Sequence, residues 1–449
     1  MTEGNPERFA ASRGPALRRA AAIALLVLGP VAAGRVSAEV SFEDLVANLK
    51  SPTAKTREEA AAALGKSRRR EAVAPLSALV RDPEPKVRLE VVRALGELRD
   101  LSAVPALVTS LQDGDPRIRE EAIVTLVEIY AERQRSGPVS KFLQTFSDEY
   151  DRSSVPPYTA VSPSVFGGLV ACLRDEEKGI RQEAAYAIGI LGGAVVVSDL
   201  VAALPDPDAG VRGAAVTAIG KVGTAEQGKA LIPLLGDENT EVRNRAVQAV
   251  GVLRVREAGP ALREMFEPTR RRETGTRVLE ALSRVGDPAE ADLFRELLQS
   301  ANPDYRRPAV EGLARVSEPA SIGSFKKDYQ RERDGDVKLA YAFAVTLLGD
   351  RAFLDSIVLA LPSATQGRRA RGYLTELGPS FIPDLYPYLN DQDAEVRGAL
   401  CDILGEFGDP GAIDRLTPLL NDPNSKVADR ANRAIERLRR AAGGTPPGP

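Results

Sequence analysis

The stretch DPDAGVRGAAVTAIGKVG, Asp206–Gly223, decides how this 449-residue chain folds, because versions of it recur along most of the length. Aligned on Arg212, the equivalent positions are Arg57, Arg88, Arg119, Arg181, Arg243, Gly275, Arg306, Lys338, Gly367, Arg397 and Ala428. The steps are 29 to 32 residues, apart from one double step of 62. A period in that range marks stacked helical units, each too small to bury an apolar face alone.

Within the stretch, Val211, Ala214, Ala215, Ala218, Ile219 and Val222 fall three and four residues apart and place one apolar stripe on an amphipathic helix. Small residues dominate the stripe. Alanine stands six places after the arginine (Ala63, Ala94, Ala187, Ala218, Ala249) and glycine two further on (Gly65, Gly96, Gly189, Gly220, Gly251). Each mid-helix glycine costs about 1 kcal/mol of helix propensity, so the pattern implies that neighbouring helices approach closely there. Gly192, Gly223, Gly286, Gly349, Gly378 and Gly408 are expected to close helices as left-handed caps. An aspartate six residues before the arginine (Asp82, Asp113, Asp175, Asp206, Asp237, Asp391, Asp422) marks the preceding turn. Its carboxylate can cap the next helix or accept hydrogen bonds from an arginine of a neighbouring unit.

Aspartate, then Val/Ile-Arg six residues on, then Ala-x-x-Ala-Leu/Ile-Gly resembles a HEAT repeat, in particular the compact phycobilisome-lyase type. The resemblance runs over roughly residues 41 to 440. It implies an all-α fold, a right-handed α-solenoid of about twelve HEAT-like helix pairs, with an Asp–Arg ladder along its interior. Carried onto this sequence, Asp82 goes with Arg88, Asp113 with Arg119, Asp175 with Arg181, Asp206 with Arg212, Asp237 with Arg243 and Asp391 with Arg397, all as scaffold. The domain plan is a signal peptide at 1–38, repeats at 39–133, an insertion loop at 134–164, repeats at 165–442 and a disordered tail at 443–449.

Two regions depart from the repeat. Residues 134–164 span a full period without the motif and carry Ser, Tyr and Pro156-Pro157, the composition of a loop. Phe142, Phe146, Tyr150, Tyr158 and Phe166 cluster in or beside it, either pinning it to the solenoid or facing outward as partner anchors. From about Arg254 to Ile382, Gly275 and Gly367 replace the ladder arginine, and Thr269, Ser300 and Glu332 replace the aspartate. The ladder is expected to break there. Arginine-rich loops are expected in the same region, at Arg270 to Arg272, Arg331 and Arg333, and Arg368, Arg369 and Arg371.

The chain has no histidine, which removes the commonest general base and transition-metal ligand and leaves no usual triad or zinc site. Cys172 and Cys401 lie about seven repeats apart, too far for a disulfide, and read as small buried hydrophobes. With 60 basic and 63 acidic residues, the net charge of −3 does not point to a polyanion partner. At the N-terminus, Arg18 and Arg19 precede fourteen uncharged residues, Ala20 to Ala33, and the small residues of Val36-Ser37-Ala38. This has the layout of a signal peptide cleaved after Ala38, and places the protein in the periplasm or cell envelope.

No phosphate loop, dinucleotide fingerprint or metal-ligand spacing occurs, so no catalytic, cofactor-binding or metal residue is assigned and no cofactor is expected. In HEAT-like solenoids the positions one, two and five after the arginine line the concave surface. Here they hold Glu58, Glu59, Glu90, Glu120, Glu121 and Glu183 in the early repeats, against Arg93 alone. Later repeats hold Arg245, Arg277, Arg307, Arg368, Arg369, Arg430 and Arg433 against Glu280, Glu311, Asp402 and Asp429. A trough acidic at one end and mixed-to-basic at the other follows. The candidate interaction residues are Glu90, Glu120, Glu121, Phe142, Phe146, Tyr150 and Tyr158. The expected function is an exported, non-enzymatic scaffold for a protein partner, with no nucleic acid and no membrane span after signal cleavage. The alternatives are an enzyme or subunit of the bilin-lyase type and a nucleic-acid-binding solenoid. Deoxyhypusine hydroxylase, a HEAT-repeat enzyme that holds iron with His-Glu pairs, is excluded by the missing histidine.

Overall fold

The computed structural model of the chain describes residues 41–131, 160–270, 272–316 and 321–442. These residues form twelve helix pairs within the unit that starts at Phe42, and no strand occurs among them. The second helices of the pairs are α1 (Ala54–Lys66), α2 (Pro85–Leu98), α3 (Pro116–Ala131), α4 (Lys178–Ile190), α5 (Ala209–Val222) and α6 (Thr240–Val252). They continue as α7 (Glu273–Val285), α8 (Pro303–Arg315), α9 (Gly335–Leu347), α10 (Gly367–Leu377), α11 (Ala394–Phe407) and α12 (Ser425–Ala441). The first helices are shorter. Several finish as tighter 3₁₀ turns, at Lys229–Gly236, Tyr386–Asn390 and Thr417–Asn421, where Pro233, Pro387 and Pro418 remove a backbone donor. The proposed signal peptide, the tail at 443–449 and most of the 134–164 insertion, with Phe142, Phe146, Tyr150 and Tyr158, lie outside the described residues. Pro163 and Ser164, counted with the insertion above, open the helix Pro163–Cys172 instead.

Successive second helices touch through the alanine–glycine stripe. A β-carbon on Gly65 would lie 2.7 Å from the Cα of Ala94, and one on Gly189 or Gly251 would lie 2.9 Å from the Cα of Ala218 or Ala281. The glycine of one repeat thus seats the alanine of the next, as the sequence pattern implies. Most of the closing glycines behave as expected. Gly192, Gly286, Gly349, Gly378 and Gly408 have positive φ, but Gly223 ends α5 with φ −82 and ψ 172. Closeness rather than handedness requires glycine at 223, since a β-carbon would sit 2.6 Å from the carbonyl oxygen of Ile219. Arg68, Arg99 and Arg254 also have positive φ just beyond their helices, with values of 53, 52 and 54.

Most ladder arginines grip two repeats. The Nε and Nη2 of Arg212 each donate to a carboxylate oxygen of Asp237 at 2.8 Å, and its Nη1 donates to the carbonyl of Asp206 at 3.0 Å. Arg57–Asp82, Arg88–Asp113, Arg181–Asp206 and Arg397–Asp422 repeat this two-pronged geometry. The guanidinium–carboxylate pairs therefore run between successive repeats. Within a repeat the arginine meets backbone carbonyls, that of its aspartate and in several rungs that of the following residue, and not the carboxylate, which corrects the expected Asp82–Arg88 type of pairing. The carboxylate also caps its own turn, since Asp237 accepts from the Asn239 amide at 2.8 Å, and Asn239 in turn caps α6. Arg119 reaches Asp175 across 56 residues, so the third and fourth pairs stack as neighbours although a full extra period of sequence separates them.

The expected break from Arg254 to Ile382 is only partial. Arg306 forms the same two-pronged contact with Glu332, at 3.1 and 2.9 Å, so glutamate replaces aspartate without losing the rung. True gaps fall elsewhere. Thr269 stands where Arg243 would find a carboxylate, and Arg243 donates to the Thr240 hydroxyl at 2.8 Å. At the two glycines the cause is steric. A β-carbon on Gly275 would lie 2.4 Å from the Thr269 carbonyl oxygen, and one on Gly367 would lie 2.3 Å from that of Leu361. The carbonyl that a ladder arginine normally binds, six residues back, here rests against the helix backbone itself. Arg368, Arg369 and Arg371 also differ from expectation: they lie on α10, not in a loop.

Candidate functional site

From α6 to α10 the second helices lie on the inside of a bend. Arg254, just past α6, donates to Glu376 of α10 at 2.6 Å, a contact across four repeats. Straight stacking at ~10 Å per helix would separate those elements by ~40 Å, far beyond the reach of two side chains. Only curvature toward the C-terminal ends of α6 to α10 brings them together.

Those ends converge on a buried charge cluster. Arg315, the last residue of α8, donates to both carboxylate oxygens of Glu376 at 2.8 and 2.9 Å, to the Ser283 hydroxyl at 2.9 Å and to Glu311 at 3.2 Å. Glu311 also accepts from Arg307 at 3.1 Å and from the Tyr373 hydroxyl at 2.6 Å. Tyr373 is fully buried and stacks on Phe343 of α9, with ring centroids 4.2 Å apart. Burial opposes ionisation of Glu311 and Glu376, yet the facing arginines outweigh it and hold both carboxyls below the ordinary carboxylate range. The pattern of alternating charge with every member partnered explains how so much charge can sit inside the protein.

Beside this cluster, α7, α8 and α10 border a polar depression of about 920 Å³. Arg270, Arg272, Arg307 and Arg369 line it together with Glu273, Glu280 and Asp304. Arg307 bonds Glu280 as well as Glu311, and Arg369 Nη1 lies 2.8 Å from Asp336. Arg270 pairs with Glu296. Arg272 is exposed and has no ion-pair partner among the described residues.

At the other end, Arg93 of α2 bridges Glu121 at 3.1 Å and Glu90 at 3.9 Å. Two of the predicted interaction residues are thus brought together. Glu120 points elsewhere, as adjacent helical residues must. It is exposed and acts on Glu183 of α4 through like charge. Glu183 is the more unusual acid. Burial, then Glu120, raises it to about 7, and its Oε2 has no hydrogen-bond partner. Glu90 is raised too, by burial first and by Glu58 and Glu97 after it, with Arg93 opposing.

Sequence reasoning missed Arg254, Arg315, Tyr373 and Glu376, whose partners lie two and four repeats away. No motif signals such spacing. Cys172 and Cys401 are buried, and burial pushes both thiols up to about 12, far from the reactive thiolate. Among the described residues no group of acids and thiols is arranged to hold a metal ion, and no helix is long and apolar enough to cross a membrane.

None of the curated proteins matches the chain. Among solved structures it is similar to an engineered protein, at 20% identity, 89% of this chain, 98% of that one and a TM-score of 0.34. It is similar to the complex of CpcE and CpcF of phycocyanin lyase from Nostoc sp. PCC7120, at 19% identity, 72% of this chain, 99% of that one and a TM-score of 0.29. Kap95p, in a structure concerning its binding to RanGDP, shares 15% identity over 90% of this chain and 57% of its own, with a TM-score of 0.46. The family described as HEAT repeats matches residues 42–127, 74–151, 161–220, 197–278, 228–314 and 369–443. These windows take in well over half of the sequence and cover every ladder position from Arg57 to Ala428 except Lys338 and Gly367, so the chain belongs to the HEAT repeat family.

Proposed function

We propose that this HEAT-repeat scaffold is a non-enzymatic protein-binding solenoid, exported to the periplasm or cell envelope. The observation that carries the reading is the inner face of the second helices, where acids on α2 to α4 give way to the arginine-bordered depression on α7, α8 and α10. A long face with two kinds of charge suits selection of an extended or elongated partner, because charge complementarity fixes register and rejects wrong partners. Export is supported by the sequence of residues 1–38 alone. Affinity capture from the cell envelope, with the protein, its Glu90→Lys/Glu120→Lys/Glu121→Lys variant and a form lacking residues 134–159, which spares the helix Pro163–Cys172, tests the binding reading. A specific partner weakened by the charge reversal supports it, and capture unchanged in both variants counts against the assigned residues. N-terminal sequencing of the mature protein tests export: a start at Glu39 supports it, and a retained Met1 or Thr2 removes it.

A further inference from the structure

The joint between α3 and α4 is built unlike its neighbours. The other joints from α1 to α6 are seated by a glycine eight residues past the ladder arginine, at Gly65, Gly96, Gly189 and Gly220, whereas α3 carries Val127 there. Side-chain packing therefore replaces the close approach seen at Gly189. A charge pair is missing as well. Arg93 of α2, five residues past its ladder arginine, donates at 3.1 Å to Glu121 of α3, two residues past the next one. In the same register α3 offers Val124, and the acid on α4 is Glu183. Glu183 thus lacks the cation that Glu121 has, its Oε2 is enclosed without a hydrogen-bond partner, and the charge that acts on it is the like charge of Glu120 across the joint. The other charged groups around α4 are engaged elsewhere. On α3, Arg117 and Arg119 pair with Asp115 and Asp175, and Glu128 feels Arg99 and Glu121. On α5, Arg212 pairs with Asp237, and Lys221 stands in the last turn. On α4 itself Lys178 and Arg181 pair with Asp208 and Asp206, and the helix Pro163–Cys172 has no charged residue. Arg245 of α6 reaches α4, but there it donates to the Tyr186 hydroxyl at 2.8 Å, and its Nε is taken by Glu241.

We propose that the α3–α4 joint is a proton-operated hinge: with a proton on Glu183 the two helices close, and with Glu183 ionised opposite Glu120 they part on that face and turn about the Arg119–Asp175 rung. The rung can serve as pivot because Arg119 and Glu120 diverge by about 100° around α3, so the tie and the repulsion act on different faces. Burial, then Glu120, sets the working range of the hinge near pH 7. The acids of α2 and α3 lie on one side of the joint and the arginines beyond α6 on the other, so the hinge angle sets how the two kinds of charge are presented together. The hinge does not depend on what the scaffold binds.

The test uses the full chain with spin labels at Lys55→Cys in α1 and Glu238→Cys before α6, two exposed positions on either side of the joint. Cys172 and Cys401 are buried and stay unlabelled in the folded protein. Electron–electron double resonance reads the distance between the labels at about pH 5.5 and about pH 8.5. In the parent the distance distribution is expected to shift between these limits, with its midpoint near pH 7. Glu183→Gln should keep the acid-side distribution at both limits. Val124→Arg should do the same, because it gives Glu183 the cation that Arg93 gives Glu121. Glu120→Gln should move the midpoint to lower pH by removing the like charge. Glu90→Gln, which removes another buried acid on α2 away from the joint, should shift as the parent does. Circular dichroism checks that each variant is folded, and Glu120→Gln stands in for Val124→Arg if the larger side chain prevents folding. A parent distribution that does not change with pH overturns the hinge, as does a full shift in Glu183→Gln or its loss in Glu90→Gln. A full shift in folded Val124→Arg, or an unmoved midpoint in Glu120→Gln, overturns the charge arrangement assigned to it.

Discussion

Arg254 and Glu376 meet at 2.6 Å although 122 residues and four helix pairs separate them. Arg254 is more than half exposed and holds a left-handed φ of 54, whereas the Glu376 side chain is only 12% exposed and is shared with Arg315. The two ends of this contact therefore carry very different energies. Arg254→Gly should change stability by less than about 1 kcal/mol, because the lost exposed ion pair is offset by relief of backbone strain. Glu376→Ala should cost roughly 3 to 4 kcal/mol, because it leaves the Arg315 charge buried without its principal partner. Urea titration of the two variants decides the matter, and equal losses would contradict the burial argument.

The ladder makes a separate prediction. Asp237→Ala removes both acceptor oxygens of Arg212 and the acceptor for the Asn239 amide, and should cost about 2 to 3 kcal/mol. Glu332→Ala should cost a similar amount through Arg306. A negligible effect at Glu332, with a large one at Asp237, would mean that glutamate does not replace the rung. Denaturant unfolding followed by circular dichroism measures both.

Helix propensity and packing oppose each other at Gly189. Alanine there gains about 1 kcal/mol of propensity, but its β-carbon would meet the Ala218 backbone at 2.9 Å. Backbone cannot yield as a side-chain tip can, so Gly189→Ala should lower stability by about 1 to 3 kcal/mol. A rise in thermal midpoint would show that α4 and α5 can separate without penalty.

Glu183 should make stability fall as pH rises. Its folded-state value, about 7, lies above its ordinary value of 4.5, so the folded state binds the extra proton between those limits. Stability from this group is full below about pH 4.5 and is lost as pH rises through about 7, by roughly 1 to 2 kcal/mol after discounting for solvent screening. The ladder aspartates act in the opposite sense: Asp237, drawn down first by its bond to Arg212, loses its contribution as pH falls through its lowered value. Glu183→Gln should reduce the neutral-range slope and leave the acid limb, with Glu90, Glu128 and Glu290, also raised by burial, supplying what slope remains. Unfolding curves from pH 4 to 8 that superimpose for parent and variant would dispose of the assignment.

Both thiols should be silent in the folded protein. A chromogenic disulfide reagent at pH 8 is expected to leave Cys172 and Cys401 unmodified in buffer and to titrate both in denaturant. Rapid modification in buffer would show a local opening at α11 or at the helix Pro163–Cys172.

The fold was legible because its determinants are local and repeated. Arg212, Ala218 and Gly220 each recur at one offset: Arg212 bonds Asp237 and Gly220 meets Ala249 in the next repeat, and Ala218 meets Gly189 in the one before. The partner of each ladder aspartate was not legible from a six-residue spacing, since that spacing is satisfied by a carbonyl while the carboxylate turns to the preceding repeat. The cluster around Glu311, Arg315, Tyr373 and Glu376 was beyond reach for a different reason. It depends on curvature accumulated over several repeats, and curvature is a sum of small packing angles that no single motif encodes. Glu90 and Glu121 converged as the trough positions imply, but what joins them is Arg93 rather than a ligand.

The unequal rungs also bear on how the array carries load. From Arg57 to Asp237 every neighbouring pair is tied by a two-pronged contact, so tension on this stretch must pull several charged links at once. After Arg243 the ties thin out, and the fastening passes to Arg254 and Arg315 acting across the bend on Glu376. A stretched molecule should therefore straighten first between α6 and α10, giving a soft elbow between stiffer arms. Force spectroscopy would register it as an early, low-force extension that Glu376→Ala moves lower still.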